Sequence, residues 1–269
     1  MTPRSPDLSD IRTPERNSDS YVQSLARGLS VIRAFGPKRS AMTLSEVAEI
    51  AGITRAGARR VLLTLQTLGY VFADGRLFRL TPKILDLGYS YLSSLDIREL
   101  AEPIMEALVE RVHESSSASV LDGDDVVYVL RVPTRRIMSI NLGIGTRLPA
   151  YAASMGRVLL AALSKDELDA YLARTTRKAF TRNTVTESAA LKNVITDVRK
   201  KGWSLVDEEL EEGLRSIAVP LVNRHGRAVA ALNISAHASR VTMTQMVTLL
   251  LPELQSAQRA INEGLRMQD

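Results

Sequence analysis

The sequence predicts an α+β protein made of two parts, a small N-terminal module of three helices and a β-hairpin, and a larger domain of mixed strands and helices. Three observations lead to this prediction. Between residues 21 and 80, three amphipathic helical segments precede an alternating hairpin pattern. Residues 21–83 are strongly basic, whereas the rest of the chain is almost neutral. After residue 97, helical and strand patterns follow one another in an irregular order, which is typical of α+β domains and not of doubly wound sheets.

The N-terminal part begins with an arm and a first helix. Residues 1–20 are rich in proline, serine and charged residues and hold few apolar ones, so we expect them to form a disordered arm. A helix is predicted over residues 24–35, and Gly36-Pro37 ends it. Because Leu25, Leu29 and Ile32 recur at helical spacing, they are predicted to face the core, with Val31 and Phe35 at the margin of the same face.

The next two helices have the capping signals and the spacing of a helix-turn-helix. Thr43 and Glu46 match a capping box at the start of the second helix, and Gly52 suits the left-handed turn that ends it. Thr54 is placed to cap a third helix. Asp74-Gly75 then marks the turn of a hairpin. Helix, turn, helix and hairpin in this order predict a winged helix-turn-helix.

The charge of this winged module and the exposed face of its third helix point to DNA. Residues 21–83 hold ten Lys and Arg against three Asp and Glu, which is the charge pattern of a polyanion-binding module. Arg55 and Arg59 lie at the start of the third helix, the end that enters the major groove in this motif. We therefore predict that residues 21–80 bind DNA, and the candidate contacts are Thr43, Ser45, Thr54, Arg55, Ala56, Arg59, Arg60, Arg76 and Arg79. A module that docks another protein is the alternative.

Residues 81–96 form a predicted linker helix, and residues 97–269 form the second domain. In the linker, Thr81 is the expected cap and Pro82 the first helical residue. The second domain is predicted to contain helices over residues 97–114, 154–163, 165–174, 189–201 and 244–266. Its predicted strands cover residues 118–121, 126–132, 137–142, 204–207, 216–222 and 228–235.

Several function classes are disfavoured by the composition. The chain has no cysteine, which excludes disulfides, thiolate catalysis and cysteine-ligated zinc. Its three histidines are far apart in the sequence, so we expect no metal site and no cofactor. The order of residues supports no Ser-His-Asp triad or paired carboxylates, so no enzyme is predicted. No apolar run approaches the roughly 18 residues of a membrane span, and no signal peptide is evident, so we expect a cytoplasmic protein without a membrane partner.

Several sequence stretches carry a resemblance to a known family. They are SLARGL at residues 24–29, the helix-turn-helix, LTPK at 80–83, ASMGR at 153–157 and GLRSIA at 213–218. With them the chain resembles the IclR family of bacterial transcriptional regulators, over essentially all of its length from Tyr21. MSINLGIGTRLP at 138–149 and GWSLVD at 202–207 are similar to the subgroup that controls aromatic-acid breakdown through protocatechuate and β-ketoadipate. The resemblance implies a GAF-like effector domain, a homodimer or tetramer, and protocatechuate, 4-hydroxybenzoate or β-ketoadipate as effector.

The resemblance also implies which residues line an effector pocket. Main-chain N–H groups at the start of a helix would hold a ligand carboxylate. Val206 stands where the family has an aspartate, and an apolar wall there favours a ring or methylene chain over a small keto acid. The implied pocket residues are Ser154, Met155, Gly156, Val206, Ser216, Asn233 and Ser235, with Arg147, Tyr151 and Asn141 as further candidates. For Arg147, a role in fixing its own loop is the interpretation that we favour over pairing with a ligand carboxylate.

These observations together predict a transcriptional regulator whose binding to a pseudo-palindromic double-stranded operator responds to a small organic acid. The outcome, repression or activation, stays open. The alternative from a different class is a metabolite-binding or enzymatic domain joined to a docking module that does not bind DNA.

Overall fold

The computed structural model describes Ser18 and residues 21–36, 39–92, 97–134 and 142–267, with the backbone alone for residues 89–92. The chain divides into two compact units, residues 1–91 and 92–269. Apart from Ser18 and Leu142, the predicted arm and the strand predicted over residues 137–142 lie outside the described residues, as does the candidate effector residue Asn141.

The first unit packs three helices against a small antiparallel sheet. Its strands β1, β2 and β3 are arranged in the order β1-β3-β2, and β2 and β3 form the predicted hairpin. The elements are α1 (Gln23–Ala34), β1 (Met42–Thr43), α2 (Leu44–Ile50), α3 (Arg55–Thr67), β2 (Val71–Asp74) and β3 (Leu77–Leu80). The short strand β1, which pairs with β3, has too few residues to show a period of two in the sequence.

The capping signals of the helix-turn-helix are confirmed. The Thr43 hydroxyl accepts a hydrogen bond from the Glu46 N–H, and the Glu46 carboxylate accepts one from the Thr43 N–H at 2.7 Å. The bond from the Thr43 N–H, and to a smaller extent the bond with the Thr43 side chain, hold the pKa of Glu46 below its usual value. Gly52 has a φ of +64°, the left-handed conformation expected at the end of α2. The Thr54 hydroxyl accepts from the Gly57 N–H at 3.1 Å and so caps α3.

Two details of this unit differ from prediction. The buried residues of α1 are Val31 and Ala34, and Ile32 packs partly buried against the same core, whereas Leu25 and Leu29 are exposed. Thr81 caps no helix, since its hydroxyl donates to the Gly69 carbonyl at 2.6 Å. A single 3-10 turn (Pro82–Ile84) therefore precedes α4 (Leu85–Leu92).

The second unit is a six-stranded antiparallel sheet with helices on both faces. The strand order is β6-β5-β4-β9-β8-β7. On one face α5 and the C-terminal helix cover an apolar core, and on the other face α6, α7 and α8 cover a second one. The strands are β4 (Ser115–Asp122), β5 (Asp125–Val132), β6 (Arg147–Pro149), β7 (Ser204–Asp207), β8 (Leu214–Val222) and β9 (Ala228–His237). The α+β class is confirmed.

The helices of this unit end close to their predicted positions. They are α5 (Ile97–Val112), α6 (Ser154–Ala162), α7 (Lys165–Arg174), α8 (Ser188–Lys201), α9 (Met243–Gln245) and α10 (Leu251–Met267). A π-helical turn (Met246–Leu250) joins α9 to α10, and a 3-10 turn (Ala150–Ala152) precedes α6. None of the described helices is long and apolar enough to cross a membrane.

Strands β4 and β5 differ from the regular strands that the sequence predicted. β4 begins at Ser115, three residues before its predicted start, because buried serines take part in the ladder and the Ser116 hydroxyl donates to the Asn233 carbonyl at 2.8 Å. In β5, Tyr128 pairs with Ser119 whereas Leu130 pairs with Ala118, so Val129 is an extra residue, a β-bulge.

Candidate functional site

Helix α3 presents its arginines to solvent. Its buried face contains Gly57, Ala58, Leu62 and Leu65. The first two turns therefore expose Arg55, Ala56, Arg59 and Arg60, as the sequence predicted. Among the described residues, none of these arginines forms an ion pair, so their guanidinium groups are available to an anionic partner.

The other candidate DNA contacts lie at the start of α2 and on the hairpin. Arg76 in the β2–β3 turn and Arg79 on β3 are both exposed, and neither forms an ion pair within the described ranges. Ser45 is exposed in the first turn of α2. The Thr43 hydroxyl is already used in the capping box, where it also donates to Glu46 at 2.8 Å. The hydroxyl hydrogen of Thr43 is therefore not available to a partner.

A small cavity of about 30 Å³ lies in the second unit, between the start of α6 and the sheet. Six of the predicted effector residues line it, namely Ser154, Met155, Val206, Ser216, Asn233 and Ser235. The other lining residues are Tyr128, Arg131, Leu142, Leu148, Ala152, Ala153, Leu210 and Leu214. The family resemblance thus identified residues from α6, β7, β8 and β9 that the fold brings together around one cavity.

The N-terminus of α6 supplies free backbone donors at this cavity. No side chain caps the helix, and its first backbone bond runs from the Arg157 N–H to the Ala153 carbonyl at 3.0 Å. The N–H groups of Ser154, Met155 and Gly156 consequently have no partner within the helix. Such groups carry the positive end of the helix dipole and bind anions.

Gly156 does not line the cavity, but it brings α6 close to the preceding 3-10 turn. A Cβ at this position would lie 2.1 Å from the Ala150 carbonyl oxygen, far inside van der Waals contact. Only glycine allows this close approach, which fixes the turn and the start of α6 against each other.

A hydrogen-bonded group of polar side chains forms one wall of the cavity. The Ser154 and Ser216 hydroxyls lie 2.7 Å apart, and the Asn233 amide donates to the hydroxyls of Ser216 at 2.9 Å and Ser235 at 3.0 Å. The Asn233 carbonyl oxygen accepts from the Ser117 N–H at 2.9 Å. This last bond fixes which end of the amide faces the serines, so the wall is oriented before any ligand arrives.

The opposite walls of the cavity are apolar. Val206 is 4% exposed, and Leu142, Leu148, Leu210 and Leu214 complete the apolar lining. A ligand in this space would meet polar groups on some sides and hydrocarbon on the others, the usual composition of a site for a small organic molecule.

Two polar lining residues, Tyr128 and Arg131, were missed by sequence reasoning. Burial raises the pKa of Tyr128 to about 12 and lowers the pKa of Arg131. Simple alternation along β5 places these two residues on opposite faces, but the bulge at Val129 turns both to the cavity side, opposite Ser119 and Ser117. The one available signal was an arginine at the end of an otherwise apolar strand.

The structure places two further candidates, Arg147 and Tyr151, away from the cavity. Arg147 forms ion pairs with Asp122 at 2.6 Å and Asp125 at 3.1 Å, and so fixes the β4–β5 turn away from the cavity. The Tyr151 hydroxyl donates to the Lys178 carbonyl at 2.9 Å and accepts from the Lys178 N–H at 2.7 Å. Neither residue lines the cavity, because each side chain is already bound elsewhere.

A buried ion pair ties α6 to the loop that covers the cavity. Arg157 is 2% exposed, and its two terminal nitrogens donate to the two carboxylate oxygens of Glu209, each at 2.6 Å. The Val185 N–H adds a third bond to Glu209 at 3.0 Å. Glu209 lies within an acidic run at residues 207–212, and Leu210 beside it lines the cavity.

No group of three or more His, Asp and Glu side chains within the described ranges is arranged to hold a metal ion. The chemistry that the described residues offer at the cavity is hydrogen bonding and charge. The cavity is therefore suited to binding a small acid.

Comparisons with known proteins agree with this architecture. The model of the IclR helix-turn-helix domain matches residues 24–75, and that of the bacterial transcriptional regulator IclR C-terminal domain matches residues 89–263. The Pca regulon regulatory protein of Pseudomonas putida is 44% identical over 240 residues, which are 89% of this chain and 82% of that protein. The p-hydroxybenzoate hydroxylase transcriptional activator of Acinetobacter baylyi is 35% identical over 247 residues, 90% of this chain and 91% of that protein.

Solved structures are similar over the same length. A transcriptional regulator from Rhodococcus sp. RHA1 has a TM-score of 0.84 at 53% identity, covering 91% of this chain and 98% of that one. An IclR homologue from Microbacterium hydrocarbonoxydans, in complex with 4-hydroxybenzoate, has a TM-score of 0.81 at 25% identity, covering 91% of this chain and all of that one.

Proposed function

Because this chain belongs to the IclR family of bacterial transcriptional regulators, and is thus a DNA-binding regulator and not an enzyme, we propose that its effector is a small aromatic acid or dicarboxylate bound in the α6 cavity. The observation that carries the proposal is the uncapped N-terminus of α6, whose free N–H groups meet a pre-oriented hydroxyl and amide wall. A carboxylate is the ligand group best suited to accept from the backbone N–H groups at this helix N-terminus.

The names of the relatives support the aromatic-acid class. One relative controls a Pca regulon, another activates p-hydroxybenzoate hydroxylase, and a homologue of known structure holds 4-hydroxybenzoate. Protocatechuate, 4-hydroxybenzoate and β-ketoadipate are therefore the first compounds to test, and control of aromatic-compound breakdown is the proposed role. No observation favours the docking-module alternative.

Effector entry requires the cavity to expand. The space of about 30 Å³ between the described lining residues is far below the roughly 300–1,000 Å³ of typical small-molecule sites. A bound acid would therefore select a conformation in which the start of α6 and the Leu210 loop lie further apart. If the closed and the expanded conformations also differ in affinity for the operator, effector binding changes operator affinity. The size of this change is limited by the difference between the effector's affinities for the two conformations.

The DNA-binding proposal assigns α3 to the major groove and the β2–β3 hairpin to the phosphate backbone. As a homodimer or tetramer in the cytoplasm, the protein would bind two half-sites about 10 base pairs, or a multiple of that, apart. The free arginines of α3 and of the hairpin support this assignment.

Replacing Arg59 with alanine tests the major-groove assignment. Loss of a bidentate contact to a base should weaken operator binding by about 1–3 kcal/mol and relax specificity at one position. Fluorescence anisotropy with an operator selected from random DNA by the wild-type protein measures both effects. Arg174→Ala removes an exposed arginine that pairs with Asp124 in the second unit, and it is the matched control. Equal affinities for Arg59→Ala and wild type would exclude Arg59 from the DNA interface.

Thermal unfolding with the three acids tests the effector proposal. A ligand present at 100 times its dissociation constant should stabilise the folded protein by about 2.7 kcal/mol. Benzyl alcohol, which lacks a carboxylate, should have no effect because it cannot neutralise the N-terminus of α6. If none of the three acids raises the melting temperature, the proposed effector class is wrong.

A further inference from the structure

The cavity has a second polar end, formed by Tyr128 and Arg131 on β5. The bulge at Val129 places these two residues opposite Ser119 and Ser117 of β4, the positions that face the cavity. The two side chains lie close enough for the charge of Arg131 to act on the Tyr128 phenol. Bulges beside binding sites commonly redirect a side chain in this way.

Both groups are donors without an adequate acceptor. Tyr128 is 4% exposed, and its hydroxyl makes no hydrogen bond with any described residue. Arg131 forms no ion pair in the described part of the chain, and its bond to the Ser117 hydroxyl is long, at 3.4 Å. The Tyr128 hydroxyl and the half-buried Arg131 guanidinium therefore keep O–H and N–H groups from which an anion in the cavity can accept.

We propose that Tyr128 and Arg131 bind a second carboxylate of the effector, so that the cavity selects a dicarboxylic acid over a monocarboxylic one. This inference rests on the proposed function, in which the first carboxylate lies at the N-terminus of α6. Val206 and Leu210 then contact the methylene groups between the two acidic ends. A neutral phenol in the ligand would leave the guanidinium charge uncompensated, whereas a carboxylate neutralises it and accepts from both donors.

A comparison of adipate with hexanoate isolates the second carboxylate, since both are saturated six-carbon acids that differ only at one end. Isothermal titration calorimetry with the wild-type protein should show tighter binding of adipate. Arg131→Gln should weaken adipate binding by about 10- to 100-fold, the usual value of a hydrogen bond to a charged group, and weaken hexanoate binding by a much smaller factor. Tyr128→Phe keeps the ring in place and should weaken adipate selectively, by a smaller factor.

Arg174→Gln is the matched control, because that exposed arginine pairs with Asp124 outside the cavity. Circular dichroism checks that each variant is folded. If Arg131→Gln does not fold, Tyr128→Phe provides the test. The inference is wrong if adipate and hexanoate bind equally, or if both variants weaken the two acids to the same extent. Binding of 4-hydroxybenzoate or hexanoate without a preference for adipate would overturn this inference alone, whereas a wild-type protein that binds none of these acids would overturn the proposed function as well.

Discussion

Replacing Glu209 with alanine should destabilise the second unit by about 3–5 kcal/mol, because it leaves the guanidinium of Arg157 buried without a counter-ion. Arg157 is 2% exposed, and both of its terminal nitrogens bind Glu209. Its remaining bond, from Nε to the Tyr151 carbonyl at 2.9 Å, cannot neutralise the charge. The variant also removes the acceptor of the Val185 N–H, so the loop that carries Leu210 loses two attachments.

The measurement is urea unfolding followed by tryptophan fluorescence. The chain has a single tryptophan, Trp203, which packs against the core of the second unit and so reports that unit alone. Glu253→Ala is the matched control, because its partner Arg111 and Glu253 itself are about half exposed, and such a pair contributes about 1 kcal/mol or less. Equal losses in the two variants would show that the Arg157–Glu209 pair contributes no more than a surface pair.

Replacing Gly156 with alanine should disrupt the start of α6 and abolish effector binding. Inside a helix this change is normally favourable by up to about 1 kcal/mol. Here the new methyl group would lie 2.1 Å from the Ala150 carbonyl oxygen, and a backbone atom cannot move aside as a side chain can. We expect a net loss of about 1–3 kcal/mol in stability, with the free N–H groups of α6 displaced from their positions at the cavity.

Calorimetric titration with the acids, together with Trp203 fluorescence, measures both consequences. Gly28→Ala is the control, because Gly28 also lies inside a helix and a Cβ there would meet no atom within 4 Å. That variant should be as stable as the wild type or slightly more stable. Wild-type effector affinity in Gly156→Ala would show that the start of α6 is not fixed by the close approach to Ala150.

Local signals predicted the helix-turn-helix because its determinants are local. The Thr43–Glu46 capping box, the Thr54 cap and the left-handed Gly52 each act within a few residues, and each occurs where the sequence predicted it. For the cavity, the resemblance identified Ser154 and Asn233, which lie far apart in the sequence and are joined only by the sheet.

The features that were missed depend on contacts distant in the sequence. The bulge at Val129 lies within an apolar run, where alternation carries no information about which face a residue takes. Glu209 is buried because Arg157 on another element neutralises it, and no local pattern in an acidic loop indicates that partner. For α1, both Leu25 and Val31 lie on apolar helical stripes, and only the packing of the neighbouring helices decides which stripe is covered.

The most direct test of the account is whether effector binding changes operator affinity. The dissociation constant for the selected operator is measured by fluorescence anisotropy without ligand and with a saturating amount of the acid that stabilises the protein most. We expect a change of about 5- to 150-fold, and the operator should change the affinity for the acid by the same factor. An acid that binds the protein at saturation and leaves the operator dissociation constant unchanged would contradict it.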